Sequence, residues 1–302
     1  MPNITTFFST KKSSQTKSAF SLIELSVVIL IVGILVIGVT KGKKVLDGAK
    51  LASARSLTIS SPVVSMENLV LWLDATDNST IATGTVGIKT YGAPSDNSFV
   101  TDWKDKNPTS TSTYAVSAIA DTNRPKYIQS GIDGLPTLQF DGTDDYLRNI
   151  NGIISDGKDG YTAIAVFKAN DIRQALIFSQ GDCAPNGSAA GIYMEFGLAG
   201  SWGCGTNYDY NILSYKVNTP YVVVVRVNKT QTNVATLYLN KTTASGSPTD
   251  GTVPLVSGAI TVGNGFFNGH ISEIIVFDRA LTDTEIFDIQ QYLGKKWGIK
   301  VS

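Results

Sequence analysis

The chain has 302 residues, with 25 Lys and Arg against 25 Asp and Glu, a single histidine and two cysteines. That length holds two domains, or one large β domain with an appendage. Residues 1–60 hold eight Lys and Arg against Glu24 and Asp47, so the rest of this neutral chain is mildly acidic. That argues against nucleic acid as the main partner, and a lone His270 cannot organise a His-based metal site.

Residues 1–19 are polar, rich in Ser, Thr and Lys, and read as a leader. From Leu25 to Thr40 no residue is charged, and Glu24 stands alone at the start of that run. Lys11, Lys12 and Lys17 before it are matched by Lys41, Lys43 and Lys44 after it, so flanking charge sets no orientation. Hydropathy alone predicts an N-terminal membrane anchor, in which an ionisable side chain is a functional-site candidate. Beyond the run, Val45, Leu46, Ala49, Ala52 and Leu57 continue an apolar stripe at helical spacing. Ser60, Ser61 and Pro62 end it, because the residue before a proline avoids the α region. A helix from Phe20 to Leu57 would reach about 57 Å.

The stretch KSAFSLIELSVVILIVGIL resembles the leader and N-terminal helix of type IV prepilins and pseudopilins. The resemblance implies cleavage between Ala19 and Phe20 by a prepilin peptidase, which also methylates the new amine. It places Glu24 at the fifth mature position, where the family's glutamate meets the terminal amine of a neighbouring subunit. Ala19 departs from the usual glycine before the cut and implies slower processing. The partners implied are the peptidase/methyltransferase, other pilin subunits and the inner-membrane assembly platform. The implied location is the inner membrane with a periplasmic head, then a surface or periplasmic filament.

From Leu69 onward the chain changes to short apolar runs separated by Gly, Asn, Asp, Ser and Pro. Strands are predicted at 69–74, 137–142, 161–168, 175–180, 191–197, 221–228, 233–240, 259–263 and 270–278. Those at 221–228 and 270–278 read as central, with both faces buried. Thr282-Asp283-Thr284-Glu285 fits a capping box, and Ile286, Ile289, Leu293 and Trp297 follow at helical spacing up to Gly298. The expected fold is therefore a long N-terminal membrane α-helix followed by an all-β jelly-roll sandwich with one C-terminal helix. Its divisions are 1–19 leader, 20–58 helix, 59–66 linker and 67–302 sandwich. LVLWLDATD, DGLPTLQFDGTDDYL, AVFKA and GHISEIIVFDRALTDTEIFDIQQYLGKKWGI resemble the concanavalin-A-like, laminin-G-like modules, a fold that hosts lectins, adhesion modules and hydrolases alike.

Several residues are candidates for chemistry. Asp141, Asp144 and Asp145 cluster in FDGTDDYL, where an oxygen-rich loop suits Ca²⁺. The competing reading is a tight turn, with Asp141 capping backbone amides and Gly142 at positive φ. Cys183 and Cys204 would form a disulfide in an oxidising compartment, unless their Cα atoms lie too far apart. In SWGCGTNYDYN, Trp202, Tyr208 and Tyr210 offer faces for sugar rings, and Asn207 offers hydrogen bonds. A retaining glycosidase needs two carboxylates close together on one face. Glu195 stands alone, and Glu273 has only Asp278 at an odd spacing, so no enzyme is expected. The expected function is a pilin-like, minor or tip filament subunit displaying a lectin-like sandwich to a glycan or surface ligand. The alternatives are a pseudopilin of a type II secretion system touching cargo or gate, and an anchored glycan-binding protein that does not polymerise.

Overall fold

The computed structural model describes residues 22–92, 94–110, 114–155, 159–181, 189–202, 210–230, 234–246, 258–263 and 266–301. The chain divides into two compact units, Met1–Leu46 and Asp47–Ser302. Helix α1 runs from Leu22 to Ile59. Strands β1 (Leu69–Asp74), β2 (Ile81–Thr85), β3 (Ile88–Tyr91), β4 (Val100–Lys104) and β5 (Ala115–Ser117) follow. Next come β6 (Lys126–Ile132), β7 (Leu135–Asp141), β8 (Leu147–Asn149), β9 (Gly160–Ala169) and β10 (Ala175–Gly181). Then come β11 (Ala189–Glu195), β12 (Leu198–Trp202), β13 (Tyr210–Ser214) and β14 (Pro220–Asn228). The last elements are β15 (Ala235–Leu239), β16 (Thr242–Gly246), β17 (Ile260–Val262), β18 (Asn268–Phe277) and α2 (Asp283–Trp297).

The membrane part of the expected fold is corrected. Among the described residues, no helix is long and apolar enough to cross a membrane. The uncharged run Leu25–Thr40 rises about 24 Å, short of a hydrocarbon core of about 30 Å. The remainder of α1 carries Lys41, Lys43, Lys44, Asp47, Lys50 and Arg55. The expected inner-membrane anchor, and the location built on it, fall with that finding. Within the first unit, apolar side chains of α1 from Leu22 to Val36 are exposed, including Ile29 and Leu30 at 63% each.

The second unit is a two-sheet β-sandwich with a helical layer. One sheet runs β16-β15-β14-β9-β18-β7-β6, with β1 also paired to β18. The other runs β13-β12-β11-β10-β17-β8-β5-β4-β2-β3. In the first sheet, successive residues serve two different cores. Ala163, Ala165 and Phe167 of β9, Val223 and Val225 of β14, and Ile274 and Val276 of β18 point between the sheets. Their neighbours Ile164, Val166, Val222, Val224, Ile275 and Phe277 point the other way, onto Ala54 of α1 and Ile286, Ile289, Leu293 and Trp297 of α2. The period of two in a strand makes both faces apolar only when both are covered. That double cover is why β14 and β18 read as continuous apolar runs and occupy interior positions.

Helix α2 starts and stops as its sequence dictates. Thr282 Oγ1 accepts from the Glu285 amide, and Glu285 reaches back to the Thr282 amide. Arg279 grips the same carboxylate through two nitrogens, at 2.6 and 2.9 Å. Gly298 ends the helix at φ +65°, a conformation in which a Cβ is disfavoured.

Candidate functional site

One end of the sandwich gathers the loops that join or border β7, β9–β10, β11–β12, β13–β14 and β18. Register places them together: Asp141 pairs with Asn268, Gly269 with Ala169, Pro220 with Lys168, and Glu195 with Leu198. Polar side chains tie the loops to one another. Asn268 Nδ2 donates to Asp171 Oδ2 at 3.0 Å, and Asn170 Nδ2 donates to Asn268 Oδ1 at 3.0 Å. Arg173 pairs with Asp171 at 2.7 Å and donates to the Gly142 carbonyl at 2.7 Å. The Tyr215 hydroxyl donates to the Asp171 carbonyl at 3.3 Å.

Phe196 projects from the turn between β11 and β12. Its φ is +45° and that of Gly197 is +89°, the pair of positive values that a two-residue primed hairpin requires. The β6–β7 hairpin meets the same demand with Asp133-Gly134, at +47° and +78°. A bulky aromatic in that conformation is an outlier costing about 1–2 kcal/mol. Core burial does not repay it, since Phe196 is 72% exposed. Ile172, itself exposed, lies against the turn, its Cγ2 being 3.7 Å from where a Cβ on Gly197 would sit. Phe266, at the approach to β18, is also exposed. An exposed aromatic on a pinned turn presents a flat apolar face to solvent, at the end of the sandwich that also carries charged and amide side chains.

The acidic turn belongs to this same end. Asp141 Oδ1 accepts from the amides of Thr143 at 2.7 Å and Asp144 at 3.4 Å, and Gly142 has φ +77°. Asp145 Oδ2 accepts from the Asp141 amide at 2.9 Å. Oxygens of Asp141, Asp144 and Asp145 lie within 4.8 Å of one another. Burial, then the charges of Asp141 and Asp144, push the Asp145 carboxyl up to about 7. The turn thus has the capping geometry of an Asx-type loop, with its buried acid held towards the protonated form.

The other candidates stand apart from it. Trp202 ends β12 and Tyr210 begins β13, where Gly191 pairs with Trp202 and Ser201 with Tyr210. That is the opposite end of these hairpins from Phe196. Cys183, Cys204, Asn207 and Tyr208 lie outside the described residues, as do Ala19 and Phe20. Glu24 is exposed in the first turn of α1. His270 is buried against Thr137 Oγ1 at 2.9 Å, and burial and then Lys168 lower it to about 4.

A constellation not singled out in the sequence lies between the first sheet and α2. Asp74 and Glu273 are cross-strand neighbours, and like charges so placed repel. The Lys296 ammonium sits between them, 2.8 Å from Asp74 Oδ2 and 2.8 Å from Glu273 Oε2, with all three side chains at most 1% exposed. Asp74 Oδ2 also accepts from Lys106 at 3.1 Å and Thr58 at 3.2 Å, while Oδ1 accepts from Thr76 N and Oγ1. Glu273 accepts from both Trp72 and Trp297 indole nitrogens at 2.8 Å and from Tyr292 at 2.7 Å. Burial alone would raise the Asp74 carboxyl, but Lys296 and Lys106 outweigh it and hold it well below the usual range.

No protein-family model matches the chain, and no curated protein sequence does. Among solved structures, a mutant GH54 α-L-arabinofuranosidase matches at a TM-score of 0.55 and 12% identity, over 76% of this chain and 63% of that one. A sialidase of Trypanosoma rangeli matches at 0.50 and 12%, over 77% of this chain and 34% of that one. The chain therefore spans about a third of the sialidase. The second unit has the β-sandwich fold found in these carbohydrate-active proteins. Both neighbours are enzymes by name, which corrects the expectation from carboxylate spacing that the chain is no enzyme: its fold is one that glycoside hydrolases contain.

Proposed function

We propose that this chain recognises carbohydrate through the loop end that carries Phe196, and that it does so as a subunit of a type IV pilin-like filament. The observation that carries the first half is Phe196 itself, an exposed aromatic on a strained turn against which Ile172 lies, at the same end of the sandwich as the Asp171–Arg173–Asn268 contacts. Strain of this kind is retained where exposure of the side chain is useful. The fold likeness to carbohydrate-active sandwiches supports the ligand class. The filament half rests on the KSAFSLIELSVVILIVGIL stretch and on the exposed apolar side chains of α1, which packing against α1 of other copies would cover.

Glycan-array binding of the intact protein tests the recognition. Phe196→Ala is expected to lower binding at least tenfold while Trp202→Ala leaves it unchanged. Silence of the wild type on the array, or loss with Trp202→Ala alone, refutes the assignment. Parallel incubation with arabinose- and sialic-acid-containing oligosaccharides shows whether a bound sugar is also cleaved. For the filament half, mass spectrometry of the protein from its natural source is expected to find a methylated Phe20 at the N-terminus. An intact Met1 refutes processing of the prepilin type.

A further inference from the structure

The Asp74–Lys296–Glu273 constellation exceeds what holding a helix on a sheet requires. Two acids and a lysine are buried to within 1% of completely, and burying an ion pair costs more than packing apolar groups of the same size. The surroundings are dry and aromatic, with Trp72, Tyr292 and Trp297 enclosing the group. The lysine nitrogen is within 2.8 Å of a carboxylate oxygen whose other contacts are all donors. We propose that Lys296 and Asp74 condense to an intramolecular isopeptide bond, with Glu273 as the proton acceptor.

Each group has a place in the reaction. The Lys296 ammonium passes one proton to Asp74 Oδ2, at 2.8 Å, which leaves a neutral amine facing a neutral carboxylic acid. Glu273 Oε2, also at 2.8 Å, takes a second proton from the nitrogen as it bonds. The amine nitrogen attacks the Asp74 carboxyl carbon and a C–N bond forms. Thr76 N and Oγ1, at 2.9 and 2.7 Å, hold Oδ1, which becomes the amide oxygen. Oδ2 faces Lys106 at 3.1 Å and Thr58 at 3.2 Å, so charge developing on it is stabilised. Lys106, at 3.1 Å, gives Oδ2 its second proton, the C–O bond breaks and one water leaves; the proton taken by Glu273 balances the one given by Lys106. Lys106, which touches Oδ2, also lines a cleft of about 430 Å³. No oxidant or cofactor enters, and an ammonium and a carboxylate are exchanged for a neutral amide. In a low-dielectric interior that exchange removes two charges whose desolvation opposes folding. The bond would join β1, the first strand of the sandwich, to α2, the last element of the chain.

The test is tryptic mass spectrometry of the denatured full chain. The expected result is a joined species in which the Asp74 and Lys296 peptides are linked and lighter by one water, with no cleavage after Lys296. Lys296→Arg and Glu273→Gln are expected to abolish it. Recovery of the two wild-type peptides only in linear form overturns the proposal, whatever the variants do. A joined species that persists in full in Glu273→Gln overturns the role given to Glu273. Neither result depends on whether the chain binds sugar or polymerises.

Discussion

Replacing Asp145 with Asn should stabilise the protein, and the gain should depend on pH. Asp145 is 7% exposed and accepts a hydrogen bond from the Asp141 amide, which an Asn carbonyl can also accept. What the substitution removes is a charge that burial, Asp141 and Asp144 disfavour, lifting the carboxyl from 3.8 to about 7. At about 1.4 kcal/mol for each tenfold change in proton affinity, that shift corresponds to about 4 kcal/mol. Asp141 and Asp144 are exposed and their fields are screened by water, so about 2 kcal/mol is the realistic size. The folded pKa lies above the unfolded one. The wild-type penalty is therefore absent below about pH 4, grows as pH rises, and is complete above about pH 7. Urea unfolding of both proteins at pH 4, 6 and 8 in EGTA reads it directly. The Asn variant should gain nothing at pH 4 and about 2 kcal/mol at pH 8. An advantage that is flat with pH, or a variant less stable at pH 8, would show that Asp145 is ionised in the fold and would overturn the penalty assigned to it.

Two further perturbations test the fold around the sites. Thr282→Ala removes one half of the capping box of α2 and should cost about 1 kcal/mol in denaturant unfolding; an unchanged midpoint would mean that the Arg279–Glu285 pair alone fixes the helix start. Gly263→Ala would drive a Cβ into the ring of the fully buried Phe140, from a backbone at φ +63°. It should destabilise by about 2–3 kcal/mol, and a loss under about 0.5 kcal/mol would refute that packing.

Helix α2 was legible because its signals are local. The capping residues sit three apart, and Gly298 follows the last apolar residue, so neighbouring positions alone specify start and stop. The strands were legible for a related reason. An apolar run bounded by turn residues identifies β9, β14 and β18 without naming their partners. The membrane span was misread: sixteen uncharged residues, extended by residues 20–23 before Glu24, read as an anchor, although the run is short and the helix beyond it is charged. Carboxylate spacing along single strands was also a poor guide, because an acid's neighbours are set across the sheet, as Asp74 and Glu273 show.

Order along the chain by itself determined the β-rich second unit, the closing helix and the tight acidic turn, since each depends on residues within a few positions of one another. Tertiary structure alone decided that Asp74, Glu273 and Lys296 meet: 199 positions separate the two acids, and their pairing is a matter of β1 lying beside β18. It also decided that the Phe196 turn shares an end with Asp141 while Trp202 and Tyr210 lie at the other, because hairpin register sends each loop to one end or the other. The physical reason is that backbone propensity and hydrophobic period act over a few residues, whereas a site is assembled by contacts whose sequence separation carries no local signal.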